Sequence, residues 1–393
     1  MAIDMLKTAG LDGQLSSKSD YGTLLGCERV APEVATRKVL VSDKELRRRV
    51  DNVQITTDFD NALANVSLHG WKWKCDRRAF SLFTKSAISG NGVTVPNTEV
   101  LAMGTVSGGR ALEKVTSLLR SPNENDFNVL MQTAFKRDFI YGSVVHSVAG
   151  QEDETQLTVK TSAFVRSKKF SHNKNEQMCF IEHFQPRKDG FAIVFTSIPL
   201  HEVTAGKASG KHVDELCPIR GWLLVEKAPE TKASVRVLYY AGVDPNFVNL
   251  TQSLGFCSAK TTAARILRLA KGVCQLGEVL HQQRQKDSTN RKAPKNGSSG
   301  TAPVNNEISN SHCVACTSKF DLLRRRHRCG LCAYYACAKC CSREPMVIYN
   351  RYAATIQFCA RCRECMVGGE YPHLHLAARR HSSPNVEAAF LSR

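Results

Sequence analysis

Several short runs between residues 52 and 283 are either apolar or alternate between hydrophobic and polar residues, and turn-forming residues bound each run. A two-residue alternation places the apolar side chains on one face of a β-strand, so these runs predict half-buried strands. The predicted strands are Thr98–Ser107, Phe139–Val148, Gln156–Val165, Phe191–Ile198, Ile219–Glu226 and Ser234–Tyr240. This part of the chain is therefore expected to form a sheet.

Three other segments have the spacing of three and four residues that is typical of amphipathic helices. One begins at Ser42 or Asp43 and runs through Val50, and a second covers residues 110–120. The third follows the potential N-cap Ser258 and carries an apolar stripe formed by Ala263, Ile266, Leu267, Ala270, Val273, Cys274, Gly277 and Leu280. Strands closed by one long helix that lies over the sheet predict an α+β fold.

Changes in composition divide the chain into five parts. Residues 1–40 have few apolar positions and predict a disordered tail, and residues 41–283 form the predicted globular domain. Residues 284–311 are polar and rich in Gly, Ser and Pro, which is typical of a flexible linker. A cysteine-rich module at 312–366 and a second tail at 367–393 complete the predicted organisation.

Charge and hydropathy limit the cellular environments and the classes of binding partner that the sequence predicts. No run of about eighteen apolar residues occurs, so the sequence predicts no membrane-spanning helix. The first five residues include an acid and lack the apolar run of an export signal, so we expect a cytoplasmic protein with reduced thiols. The net charge is +18, of which residues 284–393 contribute +11. Such a surface attracts anionic lipid headgroups, nucleic acid or acidic protein patches.

Cysteine spacing provides the most specific chemical signal. Ten of the sixteen cysteines lie in the last 81 residues, and eight of them form four Cys-x2-Cys pairs. Two pairs complete a closed tetrahedral site with Zn–S distances of about 2.3 Å, so four pairs predict two structural Zn²⁺ ions. The predicted ligands are Cys313, Cys316, Cys329, Cys332, Cys337, Cys340, Cys359 and Cys362.

The sequence around these pairs resembles a FYVE-type zinc finger over about 50 residues. Phe320 lies four residues after Cys316, a basic run with a histidine leads into Cys329, and the fourth and fifth cysteines are five residues apart. The last pair begins nineteen residues after Cys340.

This resemblance implies a cross-brace in which the cysteine pairs alternate between the two ions. The first and third pairs, Cys313, Cys316, Cys337 and Cys340, would bind one zinc, and Cys329, Cys332, Cys359 and Cys362 would bind the other. The resemblance further implies binding to phosphatidylinositol 3-phosphate, and hence a peripheral location on endosomal membranes. The candidate headgroup contacts are Arg324, Arg325, Arg326, His327 and Arg328.

The finger also departs from the family pattern. Arg328 stands where a second histidine is usual, Gly330 and Gln357 replace arginines, and the upstream Trp-x-x-Asp sequence is missing. Cys365 is spaced so that it can replace Cys359 as the partner of Cys362. The alternatives are therefore a FYVE-related protein-interaction module without specific lipid binding and a RING-like ubiquitin ligase. Nucleic-acid binding by the basic module is a weaker alternative.

The globular domain resembles a START lipid-transfer domain in the order of its last elements. These are the strand containing Arg220 and Trp222, the strand Ser234–Tyr240, the Asp244-Pro245 turn and the helix after Ser258. The resemblance implies a helix-grip fold whose curved antiparallel sheet and long helix enclose a lipid-sized cavity. No phosphate-binding loop, nucleophile elbow or His-Glu-x-x-His motif occurs, so we expect a lipid-binding adaptor with protein partners rather than an enzyme.

Overall fold

The computed structural model describes residues 38–66, 70–88, 94–121, 123–149, 155–166, 174–229, 233–244, 256–292, 310–322, 324–348, 352–367 and 374–376. Its helices are α1 Asp43–Asp51, α2 Phe59–Asn65, α3 Ala111–Arg120, α4 Glu124–Phe135, α5 Ala259–Val273, α6 Leu276–Lys292 and α7 Ala360–Val367. The strands of the globular part are β1 Lys72–Arg77, β2 Phe80–Ile88, β3 Thr94–Ser107, β4 Phe139–Ala149, β5 Gln156–Phe164, β6 Asn175–Arg187, β7 Gly190–Ser197, β8 Val213–Glu215, β9 Ile219–Lys227 and β10 Ser234–Val243. The cysteine-rich part adds β11 Arg326–Arg328, β12 Tyr335–Cys337, β13 Cys341–Ile348, β14 Tyr352–Cys359 and β15 Leu374–Leu376.

Among the described residues, ten strands form one sheet in the order β1-β2-β3-β10-β9-β7-β6-β5-β4. Neighbours in this order are antiparallel, and β8 pairs with β6 in parallel. The α+β fold class is confirmed, and a strand forms in each of the six segments where alternation predicts one.

Four strands of the large sheet were not predicted, nor were the five described strands of the cysteine-rich part. The edge strand β1 is exposed at five of its six positions, β2 buries Phe80, Leu82 and Thr84 at alternate positions, and β8 has only three residues. The fourth, β6, includes Pro186 and several polar residues, yet Met178 to Ile181 are buried between neighbouring strands. In β6, burial between neighbouring strands overrides the weak local strand propensity.

The main hydrophobic core lies between one face of the sheet and helices α3 to α6. Leu82, Val100 and Val237 contribute from the strands, and Val115, Leu130 and Ile266 from the helices. Helix α5 carries Ile266 and Ala270 fully buried, as its apolar stripe predicts. It also buries Arg265, whose guanidinium donates to Glu176 at 2.7 Å and to Asp138 at 2.7 Å. These ion pairs tie α5 to the sheet.

The long closing helix differs from the prediction in two ways. It is broken after Val273, where the N–H of Cys274 bonds to the carbonyl of Ala270, and a second helix begins at Leu276. Gly272 and Gly277 flank this break, and glycine lowers helix propensity by about 1 kcal/mol relative to Ala. Helix α6 then continues to Lys292, so the predicted linker does not begin at residue 284.

Both predicted tails also contain ordered residues. Val39 is fully buried and forms a β-bridge with Val203, and the Thr204 N–H donates to the Lys38 carbonyl at 2.8 Å. At the other end, β15 pairs with β13 inside the predicted 367–393 tail. The other predictions for 1–37, 293–309 and 377–393 lie outside the described residues. No helix in the described part combines the length and apolar character needed to cross a bilayer.

Candidate metal centres and basic pocket

The structure gathers the eight paired cysteines into two groups of four. One group consists of Cys313, Cys316, Cys337 and Cys340, and the other of Cys329, Cys332, Cys359 and Cys362. Within each group the sulfur atoms all lie within 4.8 Å of one another. The pairs alternate along the chain, which is the cross-brace arrangement that the resemblance implied.

Two loops of nearly identical geometry position the first pair of each group. The Thr317 N–H bonds to the Cys313 carbonyl at 2.9 Å, and the Ala333 N–H bonds to the Cys329 carbonyl at 3.0 Å. Thr317 and Ala333 both have left-handed backbones, with φ of 54° and 63°. This turn brings the sulfurs of each Cys-x2-Cys pair to the same side of the backbone.

The sulfur distances fit Zn²⁺. A tetrahedral ion with Zn–S bonds of about 2.3 Å separates its sulfurs by about 3.8 Å. The Cys316 and Cys337 sulfurs are 3.7 Å apart, and those of Cys332 and Cys359 are 4.0 Å apart. Backbone N–H groups of Cys337 and Cys359 also donate to the Cys313 and Cys329 sulfurs at 3.3 Å, a contact that stabilises thiolates. Each group is therefore positioned to hold one structural zinc ion.

Within each cysteine group, hydrogen bonds between the thiols lower the pKa of some members and raise the pKa of others, such as Cys332, Cys340 and Cys362. The Cys313 thiol lowers the pKa of Cys316 far below its usual value, and the Cys332 thiol does the same for Cys329. Burial instead raises the pKa of Cys179 and of Cys274 to about 12, so these thiols stay protonated. No disulfide occurs among the described cysteines.

The extra cysteines and the nearby histidine lie outside both groups. Cys359 rather than Cys365 joins Cys362, which settles the choice that spacing left open. Burial raises the pKa of Cys341 to about 11. His327 belongs to neither group, so the described ligand sets contain only cysteine.

The structure separates the five basic residues that precede the third cysteine. Arg324 and Arg325 line a pocket of about 610 Å³ beside the first cysteine group. Arg326 extends instead over the rings of Phe320 and Tyr335, at 5.8 and 6.0 Å from their centroids. The Arg328 Nε donates to the Ala333 carbonyl at 3.3 Å, and His327 lies half-buried in β11 opposite Ala336.

Two residues of this basic pocket escaped the sequence analysis. Lys339 lies between the two cysteines of the third pair, and His212 belongs to the globular part just before β8. The pocket also contacts Cys316, Ser318, Cys337, Ala338 and Cys340. The Cys-x2-Cys spacing offered a signal for Lys339, because any residue inside a pair lies near the metal. No local signal identifies His212, which is 104 or more residues distant in sequence from the finger residues that line the pocket.

The finger is docked on the sheet through a buried arginine. Arg361 of α7 is 4% exposed and donates to the Val314 carbonyl, to Ser143 Oγ and to Thr161 Oγ1 at 3.0–3.2 Å. It also bonds to the Gly206 carbonyl. No carboxylate forms an ion pair with it in the described part of the chain. The adjacent Cys362 belongs to a four-thiolate zinc site, whose net charge of about −2 offsets the guanidinium.

Aromatic packing completes this junction. The Arg361 guanidinium stacks over the Tyr141 ring at 4.5 Å, and Tyr141 meets Tyr334 edge-on with centroids 4.7 Å apart. Ile140, Tyr141 and Ala163 of the sheet share one buried cluster with the finger cysteines. The finger and the sheet thus share a hydrophobic core.

A separate cavity lies between the sheet and helices α4 to α6. Its volume is about 160 Å³, and its walls are mainly apolar, including Phe127, Met131, Phe135 and Leu269. The resemblance to START domains implied a lipid-sized cavity, but this volume is only about half the lower bound of the roughly 300–1,000 Å³ that is usual for ligand pockets. Phe135 partly fills the space by packing against Gly272.

Polar groups line this apolar cavity as well. Lys160 is 1% exposed, donates to Glu182 at 2.5 Å and lies 4.9 Å from the Phe127 ring centroid. The buried Ser162 hydroxyl has no hydrogen-bond partner among the described residues. A buried hydroxyl without a partner is costly, so the cavity presents a polar anchoring point.

Comparison with known proteins gives matches over short segments only. No family model matches the chain. The mouse and human 1-phosphatidylinositol 3-phosphate 5-kinases are each 36% identical over 52 residues, which is 13% of this chain and 2% of theirs. Human zinc finger FYVE domain-containing protein 9 is 28% identical over 83 residues, 21% of this chain and 6% of its own. The chain thus spans a small fraction of the length of these curated relatives.

Among solved structures, human STARD10 aligns with a TM-score of 0.38 at 12% identity, covering 66% of this chain and 88% of that one. The Zhui aromatase/cyclase from Streptomyces sp. R1128 aligns with a TM-score of 0.27 at 10% identity, covering 48% and 94%. The fold assignment therefore rests on the sheet and helices described above.

Proposed function

We propose that this protein is a zinc-dependent adaptor that attaches to phosphoinositide-bearing membranes, with phosphatidylinositol 3-phosphate as the favoured headgroup and the endosome as its location. The observation that carries the proposal is the basic pocket beside the first cysteine group, where Arg324 and Arg325 face a space of about 610 Å³. Relatives matched over short segments include a phosphatidylinositol 3-phosphate kinase and a FYVE-domain protein.

An exposed leucine next to the basic run supports attachment to a lipid surface. Leu322 is fully exposed, at 104% of its reference accessibility, and stands two residues before Arg324. An apolar side chain flanked by cations suits the boundary between headgroups and acyl chains, where both kinds of group are stabilised. Arg326, His327 and Arg328 would then add positive charge along the same edge of the finger.

Vesicle flotation of the full-length protein tests this proposal. We expect recruitment to vesicles containing phosphatidylinositol 3-phosphate and a loss of at least tenfold in affinity for the Arg325→Ala/Arg326→Ala variant, because each cation near an anionic surface contributes about 1 kcal/mol. A Leu322→Asp variant should also bind more weakly.

The matched control is Arg187→Ala/Lys188→Ala, which removes the same charge from an exposed hairpin of the sheet. Recruitment that is absent, or equally reduced in both double variants, contradicts a headgroup site in the finger. A protein pull-down that persists without lipid would then favour the protein-interaction alternative. The all-cysteine ligand sets give the RING-like alternative no histidine ligand in the described finger.

The globular domain is proposed to bind an apolar ligand in the cavity between the sheet and α4 to α6. Lys160, Glu182 and the unpartnered Ser162 hydroxyl would hold its polar end, and the phenylalanine side chains its apolar part. At about 160 Å³ the cavity suits a small apolar molecule or one end of a lipid. Native mass spectrometry of the purified protein, with Ser162→Leu as the variant that fills the cavity, checks this. An identical adduct spectrum for both proteins would contradict it.

A further inference from the structure

The basic pocket is built by two parts of the chain that are distant in sequence. Arg324, Arg325 and Lys339 come from the finger, whereas His212 comes from the segment that leads into β8 of the large sheet. A finger detached from the sheet would have one wall of this pocket missing.

Direct contacts hold His212 against the finger. The Thr317 hydroxyl donates to the His212 carbonyl at 3.4 Å, and the Asn175 side chain donates to the Thr317 carbonyl at 2.8 Å. Thr317 itself is 1% exposed and immediately follows the ligand Cys316. The loop that carries the first cysteine pair therefore sets the position of His212 relative to the two arginines.

The charge of the pocket favours an anion. Three cationic side chains line it together with His212, and no carboxylate does among the described residues. The first zinc site brings about −2 of its own, so the pocket keeps a positive surplus of about one charge. The side chains of Arg324, Arg325 and Lys339 make no ion pair in the described structure, which leaves their donors available.

We propose that this pocket binds a phosphomonoester group, and that His212 and Lys339 contribute to binding together with Arg324 and Arg325. This inference rests on the proposed function for the identity of the ligand, a phosphorylated inositol headgroup. A phosphomonoester presents three acceptor oxygens and close to two negative charges, and it therefore matches two arginine forks, one ammonium group and one imidazole N–H.

Binding of soluble inositol 1,3-bisphosphate to the full-length, zinc-loaded protein tests the inference by calorimetry. We expect His212→Ala and Lys339→Gln each to weaken binding about fivefold, and the double variant about 25-fold, because each removes one donor from the same phosphate. Inorganic phosphate is the second probe. Tighter binding of the bisphosphate than of phosphate identifies an inositol headgroup as the ligand, whereas equal binding identifies free phosphate.

Two neighbouring lysines provide matched controls. Lys211 adjoins His212, and Lys319 lies in the same finger loop as Ser318, but both are exposed and neither lines the pocket. We expect Lys211→Gln and Lys319→Gln to bind within twofold of the unchanged protein. All variants should retain two zinc ions per chain, as measured by elemental analysis. Because His212 is exposed, its substitution should leave the fold intact.

The outcomes separate this inference from the proposed function. If vesicles recruit the protein through Arg325 but His212→Ala and Lys339→Gln bind inositol 1,3-bisphosphate normally, the composite pocket is wrong and the membrane adaptor stands. If the soluble bisphosphate binds and depends on His212 while vesicles recruit nothing, the pocket stands and membrane attachment is wrong. Equal losses for the lysine controls would show only general charge attraction and would overturn the inference.

Discussion

In each cysteine group, the residue that follows the first Cys-x2-Cys pair closes the turn that positions this pair for metal binding. Thr317 and Ala333 adopt positive φ, and this conformation lets their N–H groups close the turn on Cys313 and Cys329. Non-glycine residues rarely adopt such angles unless surrounding contacts compensate for the strain. Here metal coordination and the burial of Thr317 supply that compensation.

Substitution of Cys359 and of Cys365 tests which of the two cysteines is a zinc ligand. We expect Cys359→Ser to reduce the zinc content from two ions to one per chain, because Cys359 lies in the second group of four thiols. Cys365→Ser should keep both ions, since Cys365 lies in neither group. Elemental analysis after gel filtration measures the stoichiometry. Loss of zinc from the Cys365 variant alone would mean that the ligand assignment is wrong.

Glu215 makes stability depend on pH. Burial raises the pKa of its carboxyl from 4.5 to about 7, although the Leu200 N–H donates to it at 3.1 Å. The unfolded carboxyl loses its proton near pH 4.5, whereas the folded one keeps its proton until about pH 7. The stability that it contributes is therefore complete below pH 4.5 and is lost as the pH rises through 7.

Glu215→Gln should remove that part of the pH dependence. Between pH 5 and pH 8, we expect the free energy of unfolding of the glutamine variant to rise by about 1–2 kcal/mol relative to that of the unchanged protein. This figure allows for the partial solvent exposure of Glu215. Urea denaturation at each pH provides the measurement. A difference that is constant across this range would show that Glu215 titrates normally.

At the scale of elements, Gly272 of α5 sets how closely α4 packs beside the apolar cavity. Gly272 lies where a Cβ atom would come within 2.1 Å of the Phe135 ring, so its lack of a side chain lets α4 approach α5. Phe135 also packs edge-on against Phe164 with ring centroids 6.0 Å apart, so its ring has little room to move away from Gly272. Gly277, by contrast, faces open space.

These two glycines should respond oppositely to alanine. We expect Gly272→Ala to lower the free energy of unfolding by about 1–3 kcal/mol, because the added methyl overpacks the contact with Phe135. Gly277→Ala should raise it by about 0.5 kcal/mol through helix propensity. Thermal and urea unfolding measure both values. Stabilisation by both substitutions would mean that α4 does not pack on α5 in this way.

At the scale of the whole molecule, Arg361 joins the zinc finger to the sheet. It contacts Ser143 and Thr161 of adjacent strands, the Gly206 carbonyl in the segment before β8, and the Val314 carbonyl inside the finger. The same segment ends at His212 in the basic pocket. The docking contacts of Arg361 and the wall of the basic pocket at His212 therefore belong to one segment of the globular part.

Loss of this arginine should weaken the junction. We expect Arg361→Met to reduce the protection of finger amides against hydrogen exchange by an amount equivalent to about 3 kcal/mol, because several buried acceptors lose a charged donor. The control Arg363→Met breaks an ion pair with Glu344 in which the arginine is 51% exposed, and should cost less than about 1 kcal/mol. Equal effects of the two substitutions, at unchanged zinc content, would contradict the docking role.

The sequence by itself determined the features that depend on local spacing. Alternation located six strands, Ser258 located the start of α5, and the Cys-x2-Cys pairs identified eight ligands for two metal sites. Strand pleat, helix capping and the reach of two thiolates are short-range properties, so a window of a few residues contains the necessary information.

Only the tertiary structure decided how distant segments combine. Strand β6 forms because neighbours bury it, α5 ends just after Gly272 packs against Phe135 of α4, and Cys359 rather than Cys365 belongs to the second group. Arg361 and His212 carry no local signal, since their roles arise from groups more than 100 residues away in the sequence. Long-range packing therefore docks the cysteine-rich finger on the sheet and forms a pocket from residues of both parts.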